Sequence, residues 1–291
     1  MTSHIVISRL KVKLLIMNYE NRIVAFIDIL AFANIIKNTQ TVSKGKNAVD
    51  NEPFITELYR VFERIRFLMG VSEPSDDVAE SRRVSQFSDS IFISFNPEDE
   101  SREFKYLLGE LLHLHVELAR HDILIRGGIA YGPMIHTNEI IFGPALIQAY
   151  RIECDAANSP RIILPQSLYK IDSEFNELVG YESNDLDNLI SLDEDDFYYL
   201  DYFDKCQKVE LGIFTNDKEY IEHLQRMQKI ITKGLENKDP GIYSKYGWMK
   251  SKWNKTIKKY TAAKELEKMK MNGATALYDF FADVKLIATS M

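Results

Sequence analysis

Apolar positions along the chain switch repeatedly between a strand-like and a helix-like rhythm. Residues 23–29 are an apolar, β-branched and aromatic run broken only by Asp28, which predicts a buried strand. Leu30 to Lys37 takes a helical pattern, so the strand passes almost directly into a helix. Residues 38–51 are polar and read as a loop. Phe54, Leu58, Val61, Phe62, Ile65 and Leu68 recur at helical spacing and predict an amphipathic helix ending near Gly70. An acidic loop follows at 72–81. Residues 83–95 predict two strands folded about Ser88-Asp89 as a tight hairpin. A second strong helix covers 104–120. A strand at 123–130 leads through Tyr131-Gly132-Pro133 into another at 134–136. A short strand at 139–142, a helix over 144–157 and a strand at 162–164 complete this part.

The resulting order, β-α-α-β-β-α-β-β-α-β with short links, predicts an α/β (α+β) fold. Right-handed crossovers favour an antiparallel-containing sheet of the ferredoxin-like type with helices on one face. The later sequence differs in character. Residues 183–196 are acidic and loop-rich, 197–202 are an aromatic cluster, and 217–288 are mostly helical and lysine-rich. The expected division is an N-terminal extension at 1–20, an α/β domain at 21–170 and a mainly helical extension at 171–291. The boundary, near 165–178, is soft enough for the helices to belong to the same domain.

Composition narrows the function classes. A chain of 291 residues with 45% hydrophobic content can bury a substantial core. A net charge of −7 argues against a general nucleic-acid binder, since phosphate neutralisation needs a broad basic excess. Cys154 and Cys206 show neither zinc nor disulfide spacing and suit a reducing cytoplasm. Residues 5–17 are apolar but interrupted by Arg9, Lys11 and Lys13, short of the roughly 18 uncharged residues a membrane span needs. An extra strand or a lead-in is expected there, with a cytoplasmic location and no membrane partner.

The chemistry centres on Asp28 and Asp89. A carboxylate among apolar neighbours loses hydration, which is costly unless cations or donors replace the water. Two such carboxylates on pairing strands can share a hard divalent cation such as Mg²⁺ or Mn²⁺. The plain alternatives are that Asp28 caps the following helix and Asp89 forms the hairpin turn. Arg151 can clamp phosphoryl oxygens or bridge to Glu153 and Asp155 on a helix surface. Arg126, before Gly127-Gly128, reads as structural, with the glycines permitting close packing rather than a phosphate loop. His113 and His115 do not make a convincing metal pair. The Lys- and Trp-containing stretch at 250–259 reads as a solvated helix with its aromatics turned inward.

Four motifs in order resemble the class III nucleotidyl cyclases. Phe26-Ile27-Asp28-Ile29-Leu30-Ala31-Phe32 looks like their first metal-binding strand, and Phe87-Ser88-Asp89-Ser90 like their second. Arg126-Gly127-Gly128-Ile129-Ala130-Tyr131-Gly132-Pro133 resembles the following strand pair. Phe142-Gly143-Pro144 through Ala149-Tyr150-Arg151-Ile152-Glu153 resembles the helix carrying the transition-state arginine. The Ala149–Glu153 wording, the Phe-Ser-Asp-Ser hairpin and Tyr243-Ser244-Lys245-Tyr246-Gly247-Trp248-Met249 are most similar to bacterial antiphage pyrimidine cyclases of the Pycsar type.

This resemblance implies a cyclase fold over residues 22–164, and two divalent cations, Mn²⁺ or Mg²⁺, on Asp28, Asp89 and the backbone carbonyl of Ile29. It implies triphosphate contacts from amides near Leu30, Ala31 and Phe32, Arg151 as the transition-state residue, and a homodimer with a composite active site. Ala31 and Ala33 replace the family's usual glycine and hydroxyl residue. Amide donation to phosphate survives provided Ala31 does not require a positive φ. Ile147 stands at the asparagine position, Ile140 at a purine-reading position and Ser85 at the lysine position. A purine-reading set is thus missing, which favours UTP and cyclic UMP, with CTP second. A purine cyclase that reads its base differently, or a non-catalytic nucleotide-binding protein, are the alternatives. The resemblance further implies antiphage signalling through a separate cyclic-nucleotide effector.

Overall fold

The computed structural model describes residues 18–41, 48–69, 81–97, 103–170, 186–207 and 211–288. The expectations for residues 5–17, for nearly all of the acidic loop at 72–81 and for most of the boundary region lie outside them. The architecture is mixed α/β, built on an open mixed sheet.

The central strand β1 (Glu20–Ile29) pairs antiparallel with β5 (Ser90–Phe95) on one side and β6 (Ile125–His136) on the other. Its apolar run over residues 23–27 is explained by burial on both faces. Ile23, Ala25, Ile27 and Ile29 enter the large core, whereas Val24 and Phe26 enter a smaller cluster on the opposite face. Strand β4 (Arg83–Phe87) forms the expected hairpin with β5, pairing Phe87 with Ser90 across the two-residue loop Ser88-Asp89. Helices α2 (Glu52–Leu68) and α3 (Glu103–Ala119) supply the large core with Val61, Ile65 and a full apolar stripe from Phe104 to Leu118. The α1 helix (Phe32–Lys37) is a short piece after β1, with no buried residue.

Several details depart from the sequence reading. The polar stretch after α1 contains a two-residue ladder, β2 (Gln40–Thr41) with β3 (Val49–Asp50). Strand β6 runs unbroken through Tyr131-Gly132-Pro133 because Asn21 and Arg22 of β1 extend far enough to pair with Pro133 and Gly132. The short β7 (Ile141–Phe142) folds back on its end. The 144–157 helix divides into α4 (Pro144–Arg151) and a π-helical turn, Ile152–Ala156. Helices are not confined to one face: Ala145 and Ala149 of α4 pack on Val24, Phe26 and Ala130, opposite α2 and α3. Gly128 permits this approach, since a Cβ there would strike the Ala149 carbonyl and come within 2.8 Å of Ile152.

The sheet also extends beyond β8 (Ile162–Leu164), which lies parallel to β6. Strands β9 (Ile190–Leu192) and β10 (Tyr198–Leu200) come from the acidic and aromatic segments and add the order β8-β10-β9. Four helices follow: α5 (Asp217–Leu235), α6 (Pro240–Tyr260), α7 (Ala263–Met271) and α8 (Thr275–Asp283). They share the large core with the sheet through Leu224, Met227, Ile231, Met249, Trp253, Ile257 and Phe281. A buried polar knot reinforces this junction: Asp193 accepts from Arg161, from Lys252 of α6 and from the Trp248 indole at 2.8 Å. Trp253 is buried, as the reading of an inward-turned aromatic at 250–259 expects, whereas Lys252, in the same stretch read as solvated, is buried too. No helix among the described residues is long and apolar enough to cross a membrane.

Candidate metal and nucleotide site

Asp28 stands one residue before the end of β1, with Ser90 of β5 and Arg126 of β6 as its cross-strand neighbours. By strand alternation its side chain shares the α4 face with Val24 and Phe26 rather than the face of the large core. Its side chain retains 19% exposure. Asp89, in the hairpin loop preceding Ser90, lies close enough to raise the Asp28 pKa. The helix-capping alternative for Asp28 does not hold: Ala31 occupies the N-cap of α1, with no side-chain cap.

The group that sequence reading undervalued is Arg126. Its Nη2 donates to Asp28 Oδ2 at 3.5 Å, and its Nε sits 2.6 Å from Glu153 Oε1. The latter is a close charge contact whose angles fall outside a regular hydrogen bond, since both atoms lack one. Glu153 is itself buried, and its Oε2 accepts from the Cys154 thiol at 3.1 Å. Thus Glu153 pairs with Arg126 and not with Arg151, as the helix-surface alternative required. An arginine opening a strand and a glutamate within an apolar helical turn were the available signals, 27 residues apart.

Three carboxylates and one guanidinium leave this corner electron-rich. Burial, then Glu153, then Asp89 push the Asp28 pKa up from 3.8 to about 6, while Arg126 opposes them. Such a carboxylate gains most from a further cation, so the oxygen donors present fit a hard divalent ion. Asp28 and Asp89 would hold it. Among the described residues, no group of three or more His, Cys, Asp or Glu is arranged for a metal.

The β1–α1 junction carries two constraints. The Leu30 amide already donates to the Leu124 carbonyl at 2.8 Å, so it is committed to the sheet and not to a phosphate. Ala31 adopts φ 58°, ψ 27°, a left-handed conformation that favours glycine. The proviso attached to this alanine therefore fails, and the residue holds the turn under strain. Phe32 and Ala33 open the helix, where first-turn amides have no intrahelical acceptor. Phe32 packs edge-on against Phe62.

Arg151 is the last residue of α4 and is exposed. Among the described residues no hydrogen bond or ion pair joins it to Asp28 or Asp89. Ser85 shares the Asp28 face but is engaged elsewhere. Its hydroxyl lies 2.8 Å from His136 Nε2, whose Nδ1 lies 2.8 Å from Ser94 Oγ. Burial, reinforced by Arg22 and Arg83, lowers the His136 pKa to about 4 and keeps the ring neutral. The two helical histidines form no site: His115 is fully buried and stacked on Tyr202 at 3.7 Å.

Around this corner the α4 face stays uncovered. Phe87 is 80% exposed, and Ile140, Phe142, Ile147 and Tyr150 are also exposed. No family model matches the chain, and no curated protein matches it either.

Proposed function

We propose that the protein is a nucleotidyl cyclase of class III type, converting a pyrimidine nucleoside triphosphate, UTP by preference, into its 3′,5′-cyclic monophosphate and diphosphate. The observation that carries this reading is Asp28 beside Asp89 at a sheet corner, with a pKa raised to about 6 by burial and neighbouring carboxylates. Two divalent cations, Mn²⁺ or Mg²⁺, would acidify the ribose 3′-hydroxyl and neutralise charge at the α-phosphate.

Asp28 and Asp89 would hold the cations, with the Ile29 carbonyl as a further oxygen ligand. Phe32 and Ala33 offer first-turn amides to the triphosphate tail. The 3′-oxygen bonds to the α-phosphorus, the bond from that phosphorus to the diphosphate oxygen breaks, and the hydroxyl proton passes to solvent. Arg151 stabilises the charge on the phosphoryl oxygens, supplied by the opposite subunit of a homodimer. Its lack of contact with the aspartates within one chain supports this arrangement. So does the exposed apolar face formed by Phe87, Ile147 and Tyr150. Ile140 at a purine-reading position, Ser85 at the lysine position and Ile147 at the asparagine position leave a purine-reading set missing and support a pyrimidine substrate; antiphage signalling through a separate effector rests on the family resemblance alone.

The test is incubation with Mn²⁺ and each of the four nucleoside triphosphates, with product identified by mass spectrometry. Cyclic UMP is expected, and its loss in Asp89→Ala with an unchanged circular-dichroism spectrum. A dominant purine product would overturn the base assignment. Absence of any cyclic product would overturn the cyclase reading in favour of a non-catalytic protein on this fold, and full activity in Asp89→Ala would remove the metal role.

A further inference from the structure

A cleft of about 500 Å³ opens between the β1–α1 junction and the helical C-terminal region. Its floor is apolar, formed by Leu30, Leu124, Ile230 and Tyr246. Tyr246 lies flat on α5 because position 234 is glycine; a Cβ there would overlap the ring. The rim is cationic. Arg226, Lys229, Lys233 and Lys245 line the cleft against a single carboxylate, Asp122, a net of three positive charges. Asp122 is already matched by Arg226 at 3.1 Å. Among the described residues, Lys229, Lys233 and Lys245 make no ion pair, although the chain as a whole carries a net charge of −7.

Convergence of unpaired lysines over an apolar floor, on an acidic protein, makes a favourable place for an anion. Like charges gathered in one concavity repel each other and focus a positive potential inside it. The lysines suit phosphate groups as mobile point charges, and the floor suits a ring. Asn34, Asn38 and Asn237 add amide donors and acceptors at the edge. The volume falls in the range of small-molecule sites and excludes a nucleic-acid duplex.

We propose that this cleft is a second ligand site, for a small phosphorylated molecule carrying a planar ring, of the nucleotide class. It is separate from the aspartate corner and does not depend on the cyclase reading. Leu30 and Ala31 line the cleft, so a ligand here touches the segment that follows Asp28 and Ile29.

The test is calorimetric titration of the full chain with ADP and with UDP, in EDTA, so that the aspartates recruit no metal-bound nucleotide. Wild type is expected to bind at least one of them, with affinity falling steeply as salt rises. Inorganic pyrophosphate alone is expected to bind more weakly, lacking a ring for the floor. The combined Lys229→Gln, Lys233→Gln and Lys245→Gln variant is expected to lose at least tenfold in affinity. Arg151→Ala is expected to bind as wild type does. The lysines are exposed or half-buried, and a retained melting temperature verifies folding. Equal binding by the triple variant, loss in Arg151→Ala, or no binding at millimolar nucleotide would each overturn the proposal.

Discussion

Replacing Asp28 with asparagine keeps the side-chain size while removing the ionisable group, and so isolates what the carboxylate costs the fold. Its pKa rises from 3.8 to about 6, chiefly through burial and then through Glu153 and Asp89. The folded protein thus holds the proton more tightly than the unfolded chain. Stability associated with this group is fully present below about pH 4 and declines as pH rises through about 6. At neutral pH the ionised form costs about 3 kcal/mol. Weakening the 3.5 Å contact with Arg126 offsets about 1 kcal/mol of the gain. Asp28→Asn should therefore stabilise the metal-free protein by about 1–2 kcal/mol at neutral pH. Urea denaturation in EDTA, repeated across the acid range, measures the difference between the two proteins. The gap should close on acidification toward about pH 4, and Mn²⁺ should stabilise wild type only. An asparagine variant less stable than wild type at neutral pH, or a gap insensitive to pH, would refute the argument.

Ala31→Gly should raise stability by about 1 kcal/mol, because the left-handed turn at φ 58° suits glycine; the urea midpoint reads this. His115→Phe should stabilise by about 1 kcal/mol, since both ring nitrogens are buried without hydrogen bonds while the stack on Tyr202 can be kept; thermal denaturation decides it. Burial holds His115 near pKa 3 and His223 near 4, so wild-type stability should fall as pH drops below about 6.5, and His115→Phe should soften that fall. Asp193→Ala should cost about 3 kcal/mol by stranding buried Lys252 and leaving buried Arg161 with Asp195 as its remaining ion-pair partner; a variant as stable as wild type would show the knot to be dispensable.

Period and turn chemistry made much of the sheet legible. The β1 run, the Ser88-Asp89 hairpin and the stripes of α2 and α3 each carry an unambiguous rhythm. Strands β9 and β10 were hidden because three residues are too few to establish alternation, and acidic neighbours mask them. The position of α4 opposite the other helices depends on what covers Val24 and Phe26, which no local pattern encodes. At the site, Asp28 and Asp89 were visible as misfits among apolar residues. Arg126 and Glu153 were not, because their partnership is made only when β6 and the π-helical turn meet. The commitment of the Leu30 amide to Leu124 and the left-handed turn at Ala31 are properties of backbone geometry, invisible to residue type.

The knot at Asp193 bears on how the protein is made. Arg161 leaves the ribosome 32 residues before Asp193, but Lys252 emerges only 59 residues after it. Until then the nascent chain carries a carboxylate with one of its two cationic partners missing, beside a core still open where Trp253 will sit. Final closure of the sheet's far edge is therefore a late event in biogenesis. A chain stalled before α6 would expose that unfinished core to chaperones and proteases, so interrupted synthesis would be cleared rather than accumulate.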